Sequence, residues 1–331
     1  MFPVLTVLLF VMVKHLMLQK CPYWREVIQI RKVKVQDFNP AHTFPDATSD
    51  PHISYDGYGI RISGDNAIIT NSMVVNSGAE NYTFSGDNIT HENNGSYSDN
   101  TVNPTDYYYL LINANDNSLN GIHVERIGNL YHKGHGIVLK SSARNNVIRN
   151  SNCINTAFEL SFNGVENNLV EDCYVGNYDS NVGRGKIGSF LIANGAHDNT
   201  IRNCTVNLSS ESAVKFMDWI DGSNNPGDAA DAGNNNTIVG CSFSNAKYGI
   251  DFNSDWGYAY TPAHANVFDN CSFRDMEYFF RADRLNYDNV VRNCSVENMA
   301  QLKFEKSVGT YALQVGFENN TFANNGFSNP N

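Results

Sequence analysis

The sequence predicts an all-β solenoid, in which one strand-and-turn unit repeats along a single axis. Three observations carry that prediction. The phrase Asn-x-[IV]-x-[NDG]-Cys runs through Asn168 to Cys173, Asn199 to Cys204, Asn236 to Cys241, Asn266 to Cys271 and Asn289 to Cys294, with looser copies from Asn66, Asn117, Asn146 and Asn320. Recurrence at 22 to 37 residues marks stacked repeats. Asn supplies about one residue in seven and charged residues only 17%, a turn-rich β composition unlike that of helical repeats. The remaining sequence between phrases alternates apolar and polar residues over short runs, as strands do.

Taken from the N-terminus, residues 1–30 hold an apolar run, Met1 to Val13, followed by Lys14 and His15. That run is too short for a comfortable membrane span and resembles a signal-peptide core without its basic start and small-x-small cleavage site. A helix capping the end of the stack is the alternative. Residues 31–327 form the solenoid domain and 328–331 a tail. Export or cell-surface display is the expected location.

Each unit appears as two apolar strands joined by Asn and Gly turns, one inside the phrase and one before it. Copies of the second strand start at Tyr58, Gly136, Ala157, Ser189, Ala213, Gly249, Phe279 and Tyr311. These features give a single-stranded right-handed parallel β-helix, with stacked turn asparagines forming an amide ladder. Five cysteines (Cys173, Cys204, Cys241, Cys271, Cys294) share one repeat position and are expected to stack inside at a coil spacing of ~4.8 Å, with Cys153 joining two residues displaced. Neither a disulfide framework nor zinc spacing appears. The stretch 78–105, rich in Asn, Ser, Gly and Tyr, reads as an excursion from the stack.

Residues from about 55 to 327 resemble the parallel β-helix repeat superfamily, which includes pectate lyases, alginate and chondroitin lyases, polygalacturonases, mannuronan epimerases and phage tailspikes. The resemblance implies a groove on the outer face and a glycan as its ligand, while leaving the activity open. Insertions at 178–187, 219–233 and 254–263 flank one strand face and are expected to wall that groove.

Aligning the second-strand copies puts Arg61, Val138, Glu159, Leu191, Lys215, Asp251 and Arg281 in one outward column. Two residues on, Ser63, Lys140, Ser161, Ala193, Met217, Asn253 and Asp283 form another. Charges of both signs are thus expected in solvent at neighbouring levels, either as ordinary cross-strand ion pairs or as catalysts. Candidate catalytic residues are His135, Lys140, Glu159, Lys215, Asp251 and Arg281. Candidate substrate-binding residues are His132, Asp218, Trp219, Asp255, Trp256, Tyr258 and Asp283, because exposed rings beside acids and bases suit the C–H faces of sugars.

Three local motifs bear on the chemistry. Gly134-His135-Gly136 resembles the Gly-His-Gly strand of polygalacturonases, but the neighbouring coils lack that family's acidic set and Arg-x-Lys, which argues against pectin hydrolysis. Asp50-Pro51-His52 resembles the signature of mannuronan epimerases but precedes the first clear coil. Asp218, Asp221, Asp228 and Asp231 crowd one insertion, where hard oxygen ligands could hold Ca²⁺; their spacing matches no defined calcium loop, so no cofactor is assigned.

The leading expectation is a polysaccharide lyase acting on a uronate-containing glycan by β-elimination, with Lys215 and His135 foremost. A glycoside hydrolase using paired carboxylates among Glu159, Asp218, Asp251 and Asp255 is the second reading, and a glycan-binding adhesin or tailspike-like protein the third. A net charge of −11 with no basic stripe excludes nucleic acid as the expected partner. The oligomeric state is not readable.

Overall fold

The computed structural model describes residues 5–8, 16–18, 28–36, 58–77, 80–99, 105, 107–127, 134–162, 164–178, 188–217, 232–252, 262–282, 286–305, 317–318 and 321–328. Every strand pairing among them is parallel, and no helix occurs among them. One face is a twelve-stranded sheet of mostly three-residue strands that carry the Asn phrase. The second face starts at Lys34–Gln36 and passes through Met73–Val75, Gly95–Ser98, His123–Arg126, Asn152–Ile154 and Tyr174–Tyr178. The third passes through Tyr58–Ile62, Glu80–Phe84, Tyr107–Ile112, His135–Lys140, Ala157–Ser161 and Phe190–Ala193. From Thr205–Met217 onward, each coil runs through the second and third faces as one long strand. Sequence reasoning counted two strands per unit and missed the second face, whose runs of three or four residues are too short to show a period.

Asparagine is abundant here for two separate physical reasons. One is backbone: Asn66, Asn88, Asp116, Asn145, Asn167, Asp198, Asn235, Ala265 and Asp288 line one corner of the stack, all with φ between 53° and 61°. Asn and Asp visit the left-handed region more readily than other non-glycine residues. The other reason is the interior amide run through Asn117, Asn146, Asn168, Asn199, Asn236, Asn266 and Asn289. Each Nδ2 in that run donates to the next Oδ1 at 2.9–3.1 Å. Those amides also satisfy backbone groups at the bend; Asn199 Nδ2 donates to the Val165 carbonyl, and its Oδ1 accepts from the Asn168 amide. Asn66 belongs to the left-handed corner and not to this run, so the loose copy that starts there is one residue out of register.

The five phrase cysteines are buried free thiols, each donating to nearby carbonyls, as Cys204 Sγ does to Arg202 at 3.3 Å. Cys153 does not join them. Its register partners are Val124 and Val175, which places it in an apolar column of the second face, while Ser151 occupies the row.

Residues 78–105 correct another expectation. Glu80–Phe84, Thr90–Glu92 and Gly95–Ser98 build a coil of the stack, paired on both sides. The sequence hid it because polar residues take the inward positions. His91 stands where the phrase carries an apolar residue, Asn94 where it carries Cys, and Ser96 in the column of Val74 and Val124. His91 Nδ1 is paired with the Tyr109 hydroxyl at 2.8 Å, and its ring packs edge-on against Phe84.

Of the apolar N-terminal segment, Leu5–Leu8 and Leu16–Leu18 are strands paired in parallel with Ile28–Arg31 and Tyr58–Ile62. At the other end, Ser295–Glu305 takes the level that sequence reasoning gave to the copy at Tyr311, which lies outside the described residues.

Candidate functional site

The third face carries the outward column, and its register is continuous. Arg61, Thr83, Leu110, Val138, Glu159, Leu191, Lys215, Asp251, Arg281 and Glu305 are successive partners. The alignment made from sequence therefore holds for its seven members and omitted Thr83, Leu110 and Glu305. Its exposure does not match. Glu159, Lys215, Asp251 and Arg281 are 1%, 0%, 0% and 7% exposed, so they are not charges on a solvated face. Burying charge is costly unless it is paired, and both clusters described next are paired.

The first cluster forms where a bulge redirects the chain. His135 pairs with Ala157 and Ile137 with Phe158, leaving Gly136 as an extra residue. Both glycines of Gly134-His135-Gly136 follow from this local geometry. Gly134 has φ +65°, and a Cβ on Gly136 would lie 2.6 Å from the Ala157 carbonyl oxygen. Bulges re-aim side chains; this one sets the His135 Nδ1 2.6 Å from Glu159 Oε2. Ser161 Oγ donates to the other Glu159 oxygen at 2.5 Å.

Burial pushes the Glu159 carboxyl up. The facing His135 charge, the hydrogen bonds from His135 and Ser161 and the charge of Lys140 together outweigh it and hold the group below the usual glutamate value. With Nδ1 taken by Glu159, Nε2 is the nitrogen of His135 left to exchange a proton. On the adjacent coil Tyr107 stacks on the imidazole, with centroids 4.8 Å apart and planes 20° apart. Lys140 Nζ donates to the Tyr107 hydroxyl at 3.0 Å and lies 5.0 Å from the Phe162 ring centroid. Tyr107 and Lys140 are half-buried beside His135, which is 4% exposed.

The second cluster lies two coils beyond Glu159, about 10 Å along the axis. Arg281 grips Asp251 through Nε and Nη2, each at 2.7 Å. Its Nη2 also lies 3.6 Å from Glu211 Oε1. Lys215 Nζ sits between the same two carboxylates, at 3.8 Å from Glu211 and 3.9 Å from Asp251. Ser212 Oγ donates to Asp251, and the guanidinium lies 4.2 Å over the Tyr248 ring. Ala157, Leu191, Ala193 and Met217 form a small buried apolar group apart from the main core, at the levels between the ionic clusters.

Six residues in these clusters escaped sequence reasoning as candidates: Tyr107, Ser161, Phe162, Glu211, Ser212 and Tyr248. Tyr107 is the direct register partner of His135, a signal that an alignment begun one strand position earlier would have found. Glu211 sits at a register shift between Ser209 and Ser212, which breaks simple alternation. His132, Asp218, Trp219, Asp255, Trp256, Tyr258 and Asp283 lie outside the described residues, as do Asp221, Asp228, Asp231 and Asp50-Pro51-His52. Among the described residues no three His, Cys, Asp or Glu side chains converge as a metal ion requires, and no helix is long and apolar enough to cross a membrane.

No protein-family model matches this chain, and no curated protein matches it. Solved structures do. The catalytic domain of a GH87 alpha-1,3-glucanase, a variant in complex with tetrasaccharides, matches with TM-score 0.59 at 12% identity, over 89% of this chain and 53% of that one. The same kind of domain in complex with nigerose matches with TM-score 0.51 at 11% identity, over 92% of this chain and 53% of that one. The chain thus spans about half the length of these structures. Identity this low speaks to architecture alone. With parallel pairing continuing from coil to coil among the described residues and these likenesses beside it, the chain belongs to the parallel β-helix fold.

Proposed function

We propose that this chain is a carbohydrate-active protein that cleaves a uronate-containing polysaccharide by β-elimination on its third face. The observation that carries the reading is the His135–Glu159 pair at 2.6 Å beside the Tyr107–Lys140 pair at 3.0 Å. Elimination needs a base for the proton next to the uronate carboxylate, positive charge for the enolate-like anion, and an acid for the leaving oxygen. This cluster offers an oriented imidazole, a phenol and a cation within one level of each other. The glycan-bound structures that share the fold favour a sugar ligand. A polymeric substrate of this kind would be met outside the cell, in keeping with a secreted or surface location.

Lys215, the base favoured from sequence, fits the role less well. Its ammonium lies between two carboxylates, at 3.8 and 3.9 Å, where it serves as their counter-ion. Glu211 and Asp251 support the hydrolase as a second reading, because both carboxylates lie against the same Arg281 nitrogen, at 3.6 and 2.7 Å. Paired acids on neighbouring coils are what hydrolysis would need.

The test is incubation with a panel of uronate polymers and neutral glucans. Absorbance of an unsaturated uronate supports elimination. New reducing ends without that absorbance support hydrolysis. Binding with neither product would show a non-catalytic glycan receptor.

A further inference from the structure

We infer that Tyr107 is the base of the elimination and His135 its acid, so that the reaction is a syn elimination from uronates of manno or gluco configuration. This rests on the lyase reading above and goes on to fix stereochemistry and substrate class.

The argument is one of sidedness. Tyr107 and His135 come from adjacent coils at the same register position of one sheet. Their rings are stacked, 4.8 Å between centroids and 20° between planes. Two groups so placed approach a sugar lying on this face from the same side. Removing the C5 proton and protonating the C4 oxygen from one side requires both to point to that side of the ring. In manno- and gluco-configured D-uronates they do; in galacturonate and guluronate they lie on opposite sides.

The two roles follow from the partners. Lys140 Nζ lies 3.0 Å from the phenol oxygen, so a cation faces the atom that takes the proton. Glu159 lies 2.6 Å from His135 Nδ1, which occupies that nitrogen and leaves Nε2 as the atom that hands over a proton. In the step, the C5–H bond breaks and its proton passes to the Tyr107 oxygen. The electron pair forms the C4–C5 double bond, the C4–O bond breaks, and the departing oxygen takes the His135 Nε2 proton. Return of the proton from Tyr107 to His135 through solvent restores the starting state, so no co-reactant is consumed.

The experiment supplies the unmodified chain with polymannuronate, β-1,4-glucuronan, polygalacturonate and polyguluronate, and follows the absorbance of the unsaturated product. Polymannuronate or glucuronan is expected to react while polygalacturonate and polyguluronate stay intact. On the reactive polymer, Tyr107→Phe is expected to lower kcat by about 100-fold or more with KM little changed, and to remove one limb of the pH profile. Reaction of polygalacturonate or polyguluronate at a comparable rate would overturn the syn assignment while leaving the lyase reading standing. Retained kcat in Tyr107→Phe would overturn the base assignment in the same way. Unsaturated product from none of the four polymers would remove the lyase reading, and this inference with it.

Discussion

Arg281 holds both oxygens of Asp251 across adjacent coils, Nε to Oδ1 and Nη2 to Oδ2, each at 2.7 Å. Neither residue is more than 7% exposed, so each neutralises a charge that water scarcely reaches. Arg281→Met or Asp251→Leu alone is expected to destabilise the fold by about 3–5 kcal/mol, since each removes the two short bonds that hold the other charge and leaves Asp251 with Lys215 at 3.9 Å or Arg281 with Glu211 at 3.6 Å. The double variant should lose much less than the sum. Urea denaturation of the four proteins measures this, and additive losses would show that the pair is not coupled.

Ala265 offers a stabilising change. It sits with φ 55° in a corner otherwise held by Asn and Asp. Leu208 repeats the situation at another corner, with φ 61°, 51% exposure and Asn177 and Asn245 as neighbours. A residue with a Cβ pays roughly 1–2 kcal/mol to adopt this conformation, and Asn pays less. Ala265→Asn and Leu208→Asn should each raise the urea midpoint by an amount equivalent to about 1 kcal/mol. Unchanged midpoints would mean that the corner backbone sets no preference.

Within the interior amide run, Asn199 bonds to the Val165 carbonyl, Asn236 and Asn168 together. Asn199→Ala leaves those buried groups unsatisfied, at about 1–3 kcal/mol for each one left bare. A loss of several kcal/mol in urea denaturation, with an unaltered slope, is expected. A loss below 1 kcal/mol would show that water or relaxation replaces the missing amide.

His91 makes stability depend on pH in a defined window. Complete burial lowers its pKa from the ordinary 6.5 to about 3. The unfolded chain therefore binds a proton that the folded chain refuses between those values. The stability contributed by neutral His91 is full above pH 6.5 and drains away as the pH falls toward 3. Glu159, whose pKa is lowered below 4.5, adds a loss only below that value, so the interval from 6.5 to 4.5 isolates His91. His91→Gln should flatten the curve of urea midpoint against pH in that interval. A curve parallel to that of the unaltered chain would assign the dependence elsewhere.

Glu159→Gln tests the first cluster. The substitution keeps size and hydrogen bonding to Ser161 within reach but removes the carboxylate that orients the His135 ring. On a glycan that the chain cleaves, kcat should fall by about 10²–10⁴. Full activity would show that the pair serves folding alone.

The columns were legible in the sequence because parallel coils repeat without slippage, so Glu159, Lys215, Asp251 and Arg281 fell at their true positions relative to one another. Misreadings came where local rules gave way. Residues 78–105 hid a coil because His91, Asn94 and Ser96 face inward in place of the usual Ile, Cys and Val. Glu211 was hidden by a register shift, and Tyr107 because the strand alignment began one position after its level. Burial of the charged column was beyond sequence altogether, since alternation tells which side of a sheet a residue takes and not what that side meets.

The amide run of Asn117 to Asn289 keeps bond lengths of 2.9–3.1 Å whether 22 or 37 residues separate its members. Added chain is therefore absorbed between anchor points without disturbing the spacing of the stack. Evolution, or an engineer, can lengthen and rewrite the segments between anchors one coil at a time while the scaffold beneath keeps its gauge.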